Sequence, residues 1–315
     1  MSHNLQRLTS FLTGMAMRSE SRSRQALHEW VSETLPTVSL AGDIANAWLC
    51  HHMAGIEEVT LLDIGPGTGR QAVDLVRRLG ALESRPRVTV VAVEPDAVSL
   101  RTAEHNLLEA AQVYGLDLHV MGFHALVEEL DPSFWALVAS LQGTLLVHAA
   151  FALHHVRGRS EGEDARDTVL RRLRMLQPRA LVLVESSSDH SVADPDQRFH
   201  NGWRHYGRLS QLVDRLALSQ EHTDTLKAFL AKDLKELLCD SGEHPSLHYE
   251  HVSGWWRRLA KAGFTRADVP DALEMGSHPW VQPLREPGYV GLQYDGEALV
   301  AVLCATPASG APHPE

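Results

Sequence analysis

The stretch Val59-Thr60-Leu61-Leu62-Asp63-Ile64-Gly65-Pro66-Gly67-Thr68-Gly69-Arg70 constrains what this chain can fold into more than any other. Val59 to Ile64 is a short apolar run with β-branched residues, the pattern of a strand buried in a parallel sheet. Gly65, Gly67 and Gly69 then form a tight turn. Gln71 to Leu79 follows, with Val73, Val76 and Leu79 at helical spacing. Strand, glycine turn and helix together open a nucleotide-binding α/β unit. Glycine lets the backbone approach a ligand where a Cβ would collide. The helix start adds unpaired N–H groups and a positive dipole end.

The spacing is Gly-x-Gly-x-Gly, not the Gly-x-Gly-x-x-Gly of dinucleotide enzymes. With Asp63 before the first glycine, it resembles the first motif of class I S-adenosylmethionine-dependent methyltransferases. That resemblance implies that Asp63, Gly65, Gly67 and Gly69 hold the amino-acid end of S-adenosyl-L-methionine. Val88 to Val93 reads as the second strand and ends in Glu94. An acid at that strand end can accept both ribose hydroxyls, and Glu94 is the candidate. Asp96 is better placed to cap the helix expected from Ala97 to Tyr114. A third strand is expected near Leu116 to Met121. Methyltransferases often carry an acid and an apolar residue after it for the adenine. Here the text is Met121-Gly122-Phe123, so the acid is missing and Phe123 is the candidate to lie against the base.

At 315 residues the chain can bury a large core, and 44% hydrophobic content is ordinary for a globular protein. The net charge of −11 argues against a general nucleic-acid binder, which would show a basic face. Cys50, Cys239 and Cys304 are far apart and odd in number, which suggests a reducing, cytoplasmic setting. No signal peptide or membrane-length apolar run is visible, so no membrane association is expected. Nineteen histidines are present without a metal-ligand spacing, and no metal is expected. Glu185, Asp189 and His190 are the one combination worth weighing as a metal site.

Further motifs lie along the chain. Leu5, Leu8, Phe11, Leu12 and Met15 share a helical face, Ala26 to Leu35 suggests a second helix, and Ala41 to Met53 a third. Gly143 to Ala150 reads as the fourth strand, followed by Leu153-His154-His155 and a charged loop from Arg157 to Arg166. A helix from Asp167 to Leu176 leads to a fifth strand, Arg179 to Glu185. Leu153-His154 after the fourth strand, Val184-Glu185 ending the fifth, and Asp189-His190 together resemble the GRAS family. So do Ala45-Asn46, Arg198-Phe199, Tyr206, Gly242, Glu250, Trp255, Arg258 and Gly263-Phe264. GRAS proteins are best known as plant transcriptional regulators, and bacterial relatives are thought to be small-molecule methyltransferases. All share the methyltransferase-type Rossmann fold. Plant members generally have a cofactor loop poorer in glycine, whereas this chain keeps its three. The resemblance to the bacterial, enzymatic branch is therefore the closer one.

The expected fold is α/β: a Rossmann-like methyltransferase sheet, mostly parallel with an antiparallel last strand, under an α-helical cap. Residues 1–55 would be N-terminal helices forming part of the cap, and 56–190 the cofactor-binding core. Residues 191–250 would be an inserted cap over the carboxyl edge of the sheet, where ligands bind in open α/β folds. Its apolar stripes are Trp203, Tyr206, Leu209, Leu212, Val213 and Leu216, then Leu226, Phe229, Leu230, Leu234 and Leu237. Residues 251–306 would complete the core with a helix over Val252 to Ala262 and a hairpin turning at Asp295-Gly296. Residues 307–315 read as a disordered tail.

The function expected is methyl transfer from S-adenosylmethionine to a hydroxyl, amine or carboxyl of a small molecule lying between sheet edge and cap. His154, Glu185 and His190 are the catalytic candidates. His154 can take a proton near neutral pH and Glu185 can orient it. His155, Arg198 and Tyr206 are the candidates for binding the acceptor. A homodimer through the cap is an additional expectation. The rival functions are a regulator that binds a protein partner without catalysis, and a small-molecule receptor on the same fold.

Overall fold

Among the described residues, strand β1 (Glu58–Ile64) runs inside a nine-stranded sheet. The structure, a computed structural model, describes residues 24–160, 163–190, 192, 194–239 and 249–309. β1 pairs in parallel with β2 (Arg87–Val93) on one side and β4 (Thr144–Ala150) on the other. β3 (Leu118–Phe123) extends the parallel half beyond β2, and β7 (Ala180–Ser186) extends it beyond β4. β5 (Arg159–Ser160) and β6 (Glu163–Asp164) form a separate two-residue ladder. The remaining strands are β8 (Phe264–Arg266), β9 (Gln282–Glu286), β10 (Tyr289–Tyr294) and β11 (Glu297–Pro307). The order is β3-β2-β1-β4-β7-β11-β10-β9, with β8 on the end of β11. β11 is antiparallel to both β7 and β10, so the last strand lies between the parallel half and its own hairpin partner. This is a Rossmann-like sheet, mostly parallel and antiparallel at one side.

Helices cover both faces: α1 (Arg24–Thr34), α2 (Pro36–Met53), α3 (Arg70–Gly80), α4 (Ala97–Tyr114), α5 (Pro132–Ser140), α6 (Ala165–Met175), α7 (Pro195–Arg215), α8 (Gln220–Cys239) and α9 (Val252–Lys261). Alternation along the strands sends Leu61 and Val90 to one face and Leu62 and Val91 to the other. The first face packs on α1 to α4, α7 and α8, and the second on α5, α6 and α9. Ile44, Trp48 and Leu49 of α2 are fully buried, and burial of such a side chain contributes about 1.5–3 kcal/mol. α2 lies against β7, β10 and β11, on the sheet face itself. α1 packs on α2, and its Trp30 ring is 5.2 Å from His222 of α8.

Local signals fix several boundaries. Asp96 caps α4 by accepting from the Ser99 N–H, and Gly115 ends that helix in the left-handed region. Asp131 caps α5, with Pro132 in its first turn. Such a cap stabilises a helix by about 1 kcal/mol. α7 starts at the Asp194 cap and is tied to the β10–β11 turn by Arg208 to Asp295 and by Arg204 to Glu297 at 3.2 Å. Val300 of β11 pairs with Ser186, so that turn stands at the carboxyl edge of the parallel strands, with α7 beside it.

The structure departs from the expected elements in several ways. The third strand starts at Leu118 and includes Phe123, because Leu116 is buried in the turn after Gly115. The loop expected from Arg157 to Arg166 contains the β5–β6 ladder, and α6 begins inside it at Ala165. α2 begins at Pro36, five residues earlier than Ala41. Trp203 is 48% exposed and does not belong to the buried stripe of α7. Pro307 still belongs to β11, and the Ala308 N–H donates to the Gly263 carbonyl at 3.0 Å, so the chain is held past the expected start of the tail. The helix expected over Leu5 to Met15, Gly242, the Leu237 side chain and residues 310–315 lie outside the described residues. Among the described residues no helix is long and apolar enough to cross a membrane.

Candidate functional site

The glycine turn leaves β1 and starts α3. Gly65, Gly67 and Gly69 all have positive φ, at 69°, 57° and 77°. They are not equivalent. A Cβ on Gly65 would meet the Ala152 Cβ at 2.7 Å, and one on Gly69 the Ala103 Cα at 3.0 Å. A Cβ on Gly67 would meet nothing within 4 Å. Two glycines thus allow the turn to pack on its neighbours, and the middle one faces open space.

Glu94 leaves the end of β2 directly beside that turn. It is buried, and its carboxylate accepts from the Gly67 N–H and from the Asp96 N–H, each at 3.0 Å. Burial raises its pKa, while those two N–H groups oppose the rise. The Glu94 N–H donates to the Phe123 carbonyl. The Phe123 ring packs edge-on against Phe134 of α5, with 4.9 Å between centroids. Asp63, also buried, lies opposite His148 of β4 in the sheet register, and its Oδ1 is 2.8 Å from His148 Nδ1.

The second part of the site stands at the ends of β4 and β7. Phe151 adopts φ 51°, a strained value for a side-chain-bearing residue, as the chain turns from β4 into the short helix Leu153–His155. Glu185 Oε1 accepts from the Leu153 and His154 N–H groups at 3.0 and 3.3 Å, and Oε2 is 2.7 Å from His154 Nδ1. The His154 ring is buried and stacks on Tyr249, with centroids 4.5 Å apart. The structure thus brings His154 and Glu185 together as a dyad, with Nδ1–H donating and Nε2 as the remaining basic atom.

His190 lies beside them. Its Nε2 is 2.8 Å from Ser188 Oγ, its N–H donates to the Tyr249 carbonyl, and its ring is 6.1 Å from Tyr206. Burial pushes its pKa down to about 4, with Arg198 and His154 adding to the shift against Asp189. His205 of α7 is buried deeper and pushed down to about 3, first by burial and then by His190. Both imidazoles are therefore neutral at physiological pH. His155 is exposed with its ring 4.0 Å from His154, and Arg198 lies half-buried in the first turn of α7. Among the described residues no three His, Cys, Asp or Glu side chains come together as a metal site.

Behind Tyr249 stands a charge network that anchors its segment. Glu250 Oε1 accepts from Arg166 Nη1 at 2.8 Å and from Arg258 Nε and Nη2 at 2.8 and 2.7 Å. Arg166 also grips Asp164, and Arg258 reaches Asp164 and Asp167. The network joins α6 to α9 across the residues that carry the aromatic lid of His154.

Comparison with known proteins gives this arrangement a family. A family model described as the GRAS domain family matches residues 1–301. The chain belongs to the GRAS domain family. Scarecrow-like protein 1 of Arabidopsis thaliana is 26% identical over 254 residues, 78% of this chain and 42% of that protein. Scarecrow-like transcription factor PAT1 of the same plant is 25% identical, over 70% of this chain and 47% of that protein. This GRAS chain spans about half the length of the curated relatives it matches. The crystal structure of SCL7 from Oryza sativa superposes with a TM-score of 0.79 at 18% identity, covering 95% of this chain and 88% of that one. That likeness speaks for the fold. The plantazolicin methyltransferase BpumL, solved with SAH, is more distant at a TM-score of 0.45 and 8% identity, over 96% of this chain and 99% of that one.

Three site residues of this GRAS protein went unnoticed in the sequence. His148 sits mid-strand, and only the register of β1 against β4 brings it to Asp63. Ser188 and Tyr249 stand next to the quoted Asp189-His190 and Glu250, and only the fold brings Tyr249 onto His154 and Ser188 onto His190.

Proposed function

We propose that this GRAS chain binds S-adenosylmethionine at the carboxyl ends of β1 and β2. Its methyl group passes to an oxygen or nitrogen of a small molecule lying between the sheet edge and α7–α8. One observation carries this reading. A buried acid, Glu94, is held against a glycine turn whose middle residue opens to free space. Each Glu94 oxygen has one N–H partner and retains a lone pair for a ribose hydroxyl. Asp63 offers negative charge to an ammonium group at the end of β1, and Phe123 offers ring surface to a base. When bound, the cofactor supplies an electrophilic methyl group on a positively charged sulfur.

The chain's own part is positioning and proton handling. In-line alignment of acceptor and methyl accounts for much of the rate in such transfers. His154 Nε2 takes the acceptor proton, and Glu185 stabilises the imidazolium through Nδ1–H. Neutral His190, with Tyr206, His155 and Arg198, lines the acceptor side. Pairing of two copies through the outer face of α7, where Trp203 and Phe199 stack, belongs to the same reading. Light scattering that finds only monomer would remove that part. Cys50 and Cys304 are free thiols, which suits a cytoplasmic setting.

Calorimetric titration with S-adenosylhomocysteine tests the core of the proposal. Wild-type protein binds, and Glu94→Ala weakens binding by about 1.5–3 kcal/mol, about tenfold to a few hundredfold. Gly67→Val does at least as much. A second reading, a regulator or receptor without methyl transfer, is favoured by one observation. The His154–Glu185 dyad is buried beneath Tyr249, where it also holds the cap segment to the sheet. Wild-type protein that fails to bind the cofactor at millimolar concentration would decide for that second reading.

A further inference from the structure

Asp63 is the end of a polar chain that starts at the outer surface of α3, and the direction of every hydrogen bond in it follows from its first member. Asp74 accepts from Arg77 Nε and Nη2 and from Arg78 Nε, at 2.6 to 2.9 Å. Burial raises the Asp74 pKa, but its bonds from Arg78, Arg77 and Asn46 outweigh this and hold the carboxyl below its usual range. An ionised carboxylate only accepts. Asn46, buried on α2, must therefore turn its amide nitrogen toward Asp74, at 3.2 Å; that nitrogen also donates to the Gln71 carbonyl at 3.0 Å. Asn46 Oδ1 then faces the Gln71 side chain, which meets it with its own amide nitrogen at 3.5 Å. The same Gln71 nitrogen lies 2.8 Å from His148 Nε2, which must accept. His148 consequently carries its proton on Nδ1 and donates it to Asp63 Oδ1 at 2.8 Å. Asp63 Oδ2 receives no hydrogen bond from the described residues.

We propose that His148 is a positioning residue for the amino-acid end of S-adenosylmethionine. The chain Asp74–Asn46–Gln71 fixes its tautomer, and its Nδ1–H fixes the Asp63 carboxylate with one oxygen engaged and the other left for the cofactor's ammonium. The inference rests on the cofactor reading above. A neutral His148 matters as much as an oriented one. An imidazolium at this distance would cancel the charge that Asp63 offers, whereas a neutral N–H donor orients the carboxylate and leaves its charge intact. His148 lies at the register position opposite Asp63, on the neighbouring strand, so the pair is rigid in the sense that second-layer partners of a binding group need to be.

The test compares two ligands on one set of proteins. S-adenosylhomocysteine carries the amino-acid end, and 5′-methylthioadenosine has the same nucleoside without it. With wild-type protein binding both, His148→Phe is expected to weaken S-adenosylhomocysteine at least tenfold and to change methylthioadenosine by less than twofold. His148→Asn, whose amide nitrogen can replace Nδ1–H, restores most of the loss. Should His148→Phe fail to fold, Gln71→Leu, at a half-exposed position of α3, makes the same comparison with a severalfold loss on S-adenosylhomocysteine alone. Nitrogen NMR of the wild-type imidazole, without ligand, should show a protonated Nδ1 and a bare Nε2 at pH 7.5. Equal losses on both ligands, no loss on either, or the opposite tautomer would overturn the role of His148 while leaving the cofactor reading in place. Wild-type protein that binds neither ligand would overturn the cofactor reading itself, and this inference with it.

Discussion

Replacing Glu250 by leucine should be among the most damaging single changes in this protein, although Glu250 touches no proposed ligand. The cluster around it contains Arg166, Arg258, Asp164, Asp167 and Glu250, with Glu163, Lys261 and Arg171 at its rim. Glu250 and Arg166 side chains are each only 6% exposed. Leucine removes three charge-assisted bonds at 2.7 to 2.8 Å and takes from buried Arg166 and partly buried Arg258 the carboxylate they share. Breaking a buried pair from one side costs about 3–5 kcal/mol, because the surviving partner keeps its desolvation penalty. Arg166 and Arg258 retain Asp164 and Asp167, so the expected loss is near the lower end, about 3 kcal/mol. Chemical denaturation reads this as a lower midpoint at unchanged slope. Adding Arg166→Met to the same protein removes a buried cation that has lost one of its carboxylate partners and should recover at least about 1 kcal/mol, a coupling visible only in the double-mutant cycle. Hydrogen exchange at residues 249–251 should rise in the single variant, since the same segment carries Tyr249 over His154. A single variant that loses less than about 1 kcal/mol, or strictly additive losses in the cycle, would refute the reasoning.

Three other outcomes are expected. His154→Ala leaves Glu185 Oε2 without its imidazole donor and removes the stack on Tyr249, so stability should fall by about 2–4 kcal/mol. S-adenosylhomocysteine affinity should hold, and turnover should drop roughly 10²–10⁴-fold if His154 is the base; normal turnover in the folded variant would leave alignment as the source of rate. The pKa of His190 is lower in the fold, about 4, than its ordinary 6.5, so the unfolded chain binds the extra proton between those values. Its contribution is complete above about pH 6.5 and is lost as pH falls toward 4, by about 3 kcal/mol in total; His205 acts in the same direction, and denaturation midpoints that stay flat from pH 7 to 5 would contradict both. Finally, Gly67→Ala should cost only about 1 kcal/mol of folding free energy, from its positive φ, yet weaken the cofactor. Gly65→Ala and Gly69→Ala meet Ala152 and Ala103 and should destabilise the fold more, which thermal melts of the three variants will rank.

Much of this architecture was legible because local rules and tertiary packing agree. The mostly apolar, β-branched run of β1 announces a strand buried on both faces, and all six residues from Val59 to Ile64 are buried, Thr60 and Asp63 included. Asp96 and Gly115 bracket α4 at the positions their chemistry favours. α5 escaped notice although Asp131-Pro132 is a readable start signal, because its nine residues are too few for a periodic pattern. Trp203 misled because an aromatic residue looks like a core residue. The buried line of α7 instead runs through Gly202, His205, Tyr206, Leu209, Leu212 and Val213, so a glycine and a histidine occupy places that a hydrophobic pattern does not recognise. His154 and Glu185 could be nominated because one follows the fourth strand and the other ends the fifth, at the same sheet edge. The pairing of His148 with Asp63 depends on strand register, and the tautomer of His148 depends on a helix packed against another helix. Neither relation leaves a trace in the spacing of residues along the chain.

The position of β11 has a consequence for how the protein comes into being. Among the described strands it is the last to be synthesised, yet it fills the gap between β7 and β10, and Leu303, Cys304 and Ala305 within it are inaccessible to solvent. Until it arrives, β7 presents an open edge along a segment, Ala180 to Val184, that is apolar on both faces. A nascent chain can assemble β1 to β4 early, but it must then wait with a sticky half-sheet for a partner more than a hundred residues downstream. Biogenesis of this molecule is therefore most exposed to aggregation during that interval, and holding chaperones would find their target at β7.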